Sequence, residues 1–143
     1  MLEKLISWLK TFPLWEDTLT VDYNRGTIGS AGLYPGGIEE IDRREDILGN
    51  VTVRNRAHFD LTRVTTGQQD SYDNAAWLLA FQDWVQTQSR KGLAPVFGSE
   101  PAREVIRAKQ GKLKTASQTG TGTYTVHLTA DYVIKGEREN GEN

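Results

Sequence analysis

Leu2, Leu5, Ile6, Leu9 and Phe12 recur at helical spacing, with Glu3, Lys4, Ser7 and Lys10 on the opposite side. The spacing predicts an amphipathic helix of about three turns, ended by Pro13, whose ring and missing N–H cannot continue it. In TLTVDYN, Leu19, Val21 and Tyr23 alternate with polar partners, the mark of a half-buried strand. TIGSAGLYPGG follows at 27–37, with four of the chain's 14 glycines. IEEIDRREDILGNVTVRNRAHFDLTRV then runs to Val64, and within it Val51, Val53, Asn55, Ala57, Phe59 and Leu61 share one face at period two. Thr52, Arg54, Arg56, His58 and Asp60 share the other, so a long strand with one wet side is expected.

The period changes beyond Thr65. Trp77, Phe81, Trp84, Val85 and Gln88 keep 3.6-residue spacing, with Ala76 and Ala80 beside them. Asp70 or Ser71 stands where a cap belongs, and Gly92 lies just past the end. LAPVFGSEP reads as a loop, while AREVIRAKQGKLKTASQ fits two short strands around Gln110–Gly111 or a brief helix followed by a strand. After the TGTG turn, Tyr124, Val126, Leu128, Ala130, Tyr132 and Ile134 alternate in a last strand. The order helix, strands, helix, strands predicts an α+β fold: two amphipathic helices packed on a mainly antiparallel β-sheet. No internal repeat or composition break marks a second domain. One domain over residues 1–135 is expected, with a glycine-rich flexible arm at about 26–46 and a disordered tail at 136–143, GERENGEN, which has nothing apolar to bury.

Composition narrows the class. The 143 residues are 37% hydrophobic and 25% charged, suited to a globular domain with one core. No apolar run approaches the roughly 18 residues needed to cross a bilayer, so no membrane partner is expected. The first twelve residues are amphipathic and lack a small-residue cleavage site, unlike a signal peptide. Cysteine is absent, which removes disulfides, thiolate nucleophiles and cysteine-ligated metals. The net charge is −2, unevenly spread. Glu39, Glu40, Asp42, Glu45 and Asp46 face Arg43 and Arg44, a local balance of −3. Arg90, Lys91, Arg103, Arg107, Lys109, Lys112 and Lys114 face Glu100 and Glu104, a local balance of +5. Blocks of opposite sign set register in self-association.

Candidate chemistry is sparse. GTIGSAG has the glycines of a phosphate loop but neither the strand–loop–helix context nor a Gly-Lys-Ser/Thr ending. An interdomain linker fails because the 26 residues before it cannot build a core. What remains is a long connection between strands. His58 and His127 both fall on predicted polar strand faces that the sheet could bring together, with only Asp60 and Asp131 sharing their parity. No nucleophile elbow, His-Glu-x-x-His helix or calcium loop is present, so no catalytic residue, cofactor or metal is assigned and no enzyme is expected. Trp77, Phe81 and Trp84 read as core rather than as a stacking platform. A pocket between their helix and the sheet would be the one place for a small ligand, in a binding protein or enzyme.

AGLYPGG, REDILGNV, AAWLLAFQDWVQTQS, GLAPVFGSEP and GTYTVHLTADYV together resemble small proteins of tailed-bacteriophage and prophage structural clusters. These are minor capsid or tail-completion proteins of the tail-terminator type, and the likeness spans roughly residues 1–135. The resemblance implies a non-enzymatic building block: a tail terminator or head–tail completion subunit forming a six-fold ring that caps the tail and joins it to the head. Its implied partners are copies of itself, tail-tube proteins and head-connector proteins. Its implied location is the neck or tail of the virion, and the host cytoplasm during assembly. On this reading Gly29, Leu33, Tyr34, Pro35, Glu39, Glu40 and Asp42 belong to an arm that orders against the next subunit. The seven cations at 90–114 form a basic contact surface, and non-specific DNA contact through them is the alternative class.

Overall fold

The computed structural model describes residues 1–22, 28–65, 71–116 and 122–137. Helix α1 (Leu2–Leu9) and helix α2 (Ser71–Lys91) accompany a sheet of strands β1 (Thr18–Val21), β2 (Ser30–Glu45), β3 (Asn50–Thr65), β4 (Val105–Ala116) and β5 (Gly122–Glu137). The sheet order is β1-β2-β3-β5-β4. All pairings are antiparallel except β1 with β2. This is the expected α+β architecture.

Period-two alternation builds the core. Ala57, Phe59 and Leu61 lie in register with Ala130, Leu128 and Val126, and all six are buried. Phe81 and Val85 of α2 and Leu5, Trp8 and Leu9 of α1 pack on that face with Phe12. The two helices meet through rings: Trp8 stacks on Trp84 at 4.7 Å and Phe12 meets Phe81 edge-on at 5.4 Å. Trp8, three residues after Leu5 and four before Phe12, flanks the predicted apolar stripe although the stripe omits it; it is buried and donates its indole N–H to Gln88 at 3.1 Å. Val21 and Ile134, expected to face inward, are exposed.

The glycine-rich segment differs from its sequence reading. Ser30–Glu45, expected to be a pliable connection, is itself strand β2, paired with β3 from Ala31 to Glu45. Glycine serves the first of two bends: the register shifts between Pro35 and Gly37, where Gly37 has φ +92°, and again, without glycine, between Glu40 and Asp42. Residues 26 and 27, the start of the expected arm, lie outside the described residues. The long strand expected around Val51–Leu61 is β3, and it forms a hairpin with β2. Asp46 closes it by accepting the backbone N–H of Leu48 and of Asn50, both at 2.9 Å.

Residues 102–118 resolve as the helix-then-strand alternative as far as Ala116: a 3-10 turn at Pro101–Arg103 precedes β4, which shifts register between Lys109 and Lys112. Asp70, one of the two cap candidates, is outside the described residues, and Ser71 is the first helical residue of α2. Strand β5 runs to Glu137, two residues past the expected domain end. The rest of the expected tail, 138–143, is outside the described residues.

The loop before β4 is fixed to β5 by close backbone approach. Ser99 donates its N–H to the Val133 carbonyl at 2.7 Å, and the Glu104 carboxylate accepts the N–H groups of Phe97 and Gly98. A Cβ at Gly98 would stand 2.3 Å from the Val133 oxygen. Gly98→Ala is therefore expected to cost about 1–3 kcal/mol by overpacking against backbone that cannot yield. A urea midpoint equal to wild type would refute this.

Candidate functional site

The sheet face away from the helices carries two polar clusters. In the first, Asp131 is 1% exposed although it carries a charge. Arg56 grips it with two N–H groups, Nε at 2.7 Å and Nη2 at 2.9 Å, and Arg54 and Arg107 approach at 3.5 and 3.4 Å. These bonds, chiefly from Arg56, hold the Asp131 carboxyl below its ordinary range against the opposing effect of burial. The same contact raises the Arg56 guanidinium. Cross-strand register assembles the cluster: Arg56 faces Asp131 from β3, and Arg107 comes from β4 on the far side.

The second cluster is a chain of four side chains. Glu39 Oε1 lies 3.1 Å from His58 Nε2, His58 Nδ1 lies 3.2 Å from His127 Nε2, and His127 Nδ1 lies 2.8 Å from Asp60 Oδ1. The sheet thus joins the two histidines that parity had placed on one face. Of the two carboxylates that share their parity, Asp60 meets His127, whereas Asp131 belongs to the arginines. Glu39 was missed because residues 38–45 were not recognised as a strand beside β3. The turn chemistry Asp-x-x-Gly-Asn at 46–50 was the signal that could have found it. Among the described residues, no group of three or more His, Asp or Glu side chains is arranged to hold a metal ion.

The expected arm residues separate. Leu33 is fully buried in the core and offers no contact surface. Gly29 sits at the turn into β2, accepting the Thr18 N–H at 2.9 Å, and Tyr34 is half-buried. Pro35, Glu39, Glu40 and Asp42 are exposed along β2. Glu40 pairs with Arg43 and Asp42 with Arg44, so the acidic run is partly neutralised from within. Strand β1 covers β2 only at Ser30–Leu33, and among the described residues no strand pairs with the outer edge of Tyr34–Glu45.

The outer half of the sheet presents a second feature. Ile38, Val51, Val53 and Ile134 share the parity of the core-facing residues Ala57 and Ala130. None of them belongs to the core beneath the helices. Ile38 is 59% exposed and Ile134 is 41% exposed, and Ile47 and Leu48 at the hairpin tip are almost wholly bare. This side therefore continues past the helices with Ile38 and Ile134 exposed and Val51 and Val53 half-buried, interrupted by Glu40, Arg43 and Asn55.

The basic residues lie at the opposite edge. Arg90 and Lys91 end α2, Arg103 pairs with Glu100, and Arg107 pairs with Asp131. Lys109, Lys112 and Lys114 follow along β4. Arg90, Arg107 and Lys109 line an open groove of about 740 Å³ between α2 and β4, together with Leu79, Gln82 and Asp83. Helix side chains reach the β4 edge here: Ser89 Oγ accepts the Ile106 N–H and Gln82 donates to the Ala108 carbonyl. Of the space between the tryptophan helix and the sheet, the candidate small-ligand site, the centre is occupied by Phe81, Val85 and Phe12, and the opening lies at the β4 edge. No described helix is long and apolar enough to cross a membrane.

No protein-family model and no curated protein matches the chain.

Proposed function

We propose that this protein is a non-enzymatic structural subunit that assembles head-to-tail with copies of itself, of the tail-terminator or head–tail completion kind that its sequence resembles. One observation carries the reading: large apolar side chains that run on past the helices at Ile38, Val53 and Ile134 and end in the bare tip of Ile47 and Leu48. A chain that left these side chains in water would expose several large apolar residues next to an open strand edge, with Glu40, Arg43 and Asn55 between them. A second copy covers both at once. Charge favours a heterologous contact, because the acidic residues follow β2 near one edge of the sheet and the basic residues follow β4 at the other. With Ser89 and Gln82 already engaging the β4 edge, side-chain charge and not continued strand pairing would attract the neighbour at 106–108.

Mixed with tail tubes of the phage whose gene cluster carries it, the protein is expected to add a six-fold cap at the tube end. Electron microscopy and native mass measurement read this directly. Tubes that stay bare over unattached monomers would overturn the assignment.

A further inference from the structure

The two histidines on the polar face carry an inference independent of assembly. Glu39 and Asp60 occupy the outer nitrogens, His58 Nε2 and His127 Nδ1. An ionised carboxylate can only accept, so each outer nitrogen carries the N–H. A neutral imidazole has a single N–H. With both rings neutral, the inner nitrogens, His58 Nδ1 and His127 Nε2, would turn lone pairs toward each other at 3.2 Å. Two lone pairs at that separation repel unless a cation lies between them.

We propose that His58 and His127 form a two-histidine site for one divalent transition-metal ion of the zinc class. Zinc–nitrogen bonds of about 2.0–2.1 Å place two imidazole nitrogens on a tetrahedral ion roughly 3.3–3.4 Å apart. The observed separation is 3.2 Å, so the rings need only pivot to aim both lone pairs at one point beside the line joining them. A carboxylate on the far nitrogen of each ring is the device that fixes tautomer and orientation in metal-binding histidines, and here both rings have one. Paired imidazoles select zinc, copper or nickel over magnesium and calcium, which prefer oxygen. Both rings are partly exposed, leaving the remaining coordination positions to water.

The surrounding charges set the balance. Glu39 and Asp60 favour a cation. Lys109, in register with His127 from β4, opposes it. Arg56, two residues along β3, is already held by Asp131.

The test uses tag-free, chelator-treated full-length protein titrated with zinc chloride, read by calorimetry and by histidine side-chain NMR. One equivalent of zinc is expected to bind and to shift the signals of both rings. His58→Gln and His127→Gln should each abolish saturable binding while leaving the melting temperature nearly unchanged. The Glu39→Gln/Asp60→Asn double variant should weaken binding about tenfold or more, and Lys109→Gln should strengthen it. Absence of saturable zinc binding by wild type overturns the proposal. So does binding that survives His58→Gln.

Discussion

Asp131→Ala is expected to lower the stability of the fold by about 3 kcal/mol, the low end of what removing one partner from a buried ion pair costs. The low end applies because Arg54, Arg56 and Arg107 are each partly exposed and can regain water. The carboxylate itself cannot, being 1% exposed at the centre of three guanidinium groups. Its loss also loosens the sheet, since those arginines come from β3 and β4 and Asp131 from β5 between them. Proton linkage gives an independent check. The folded carboxyl titrates below its unfolded value of about 3.9, so it contributes stability that is fully present above that pH and is lost as pH falls through the folded value. Wild type should therefore lose stability below about pH 4 more steeply than Asp131→Asn does. Urea melts of both proteins at pH 7 and pH 3 measure this. Parallel pH profiles would show that the arginine cluster is not what holds the centre of the sheet.

How much of this was legible in the sequence depends on which physics wrote the pattern. The core could be read because burial imposes a period. Phe81 and Val85 recur at helical spacing, Phe59 and Leu61 at strand spacing, and all four are buried. Strand β2 was not legible as a strand, because after Leu33 its residues no longer alternate between water and core. Its pairing with β3 is fixed by backbone bonds, two bulges and a turn closed by Asp46, none of which leaves a hydrophobic period. Glycines in such a segment suggest slackness when read singly. In the sheet they let the strand bend. The histidine chain was half legible for the same reason. Parity placed His58 and His127 on one face, but Glu39 joins them only through the unrecognised strand. The Asp131 cluster needs three strands in register before its charges converge, and no local window contains it.

If copies of this chain assemble as proposed, Ile38→Asp combined with Ile47→Asp is expected to abolish that assembly while leaving the single chain folded. Both side chains already stand in water, at 59% and 102% exposure, so their replacement removes little that the isolated fold uses. In an assembly that covers the strip, each buried isoleucine contributes roughly 1.5–3 kcal/mol. Losing both weakens the contact by about 100-fold or more, before the cost of burying two new carboxylates is added. Sedimentation or native mass measurement of variant and wild type, alone and with tail tubes, separates the effects, and an unchanged thermal melt confirms folding. Leu79→Asp serves as the contrast, because Leu79 is comparably exposed at 66% but lines the groove between α2 and β4. A heterologous ring needs two different patches on every subunit, and the groove edge with its basic residues is the candidate for the second. If Leu79→Asp also blocks assembly, mixing it with the isoleucine variant should restore at most one good junction per pair, giving dimers and no rings. If it assembles normally, the acceptor lies farther along β4. Assembly that persists in the isoleucine variant would leave the uncovered strip without a partner among copies of this chain, and the proposed role would fall with it.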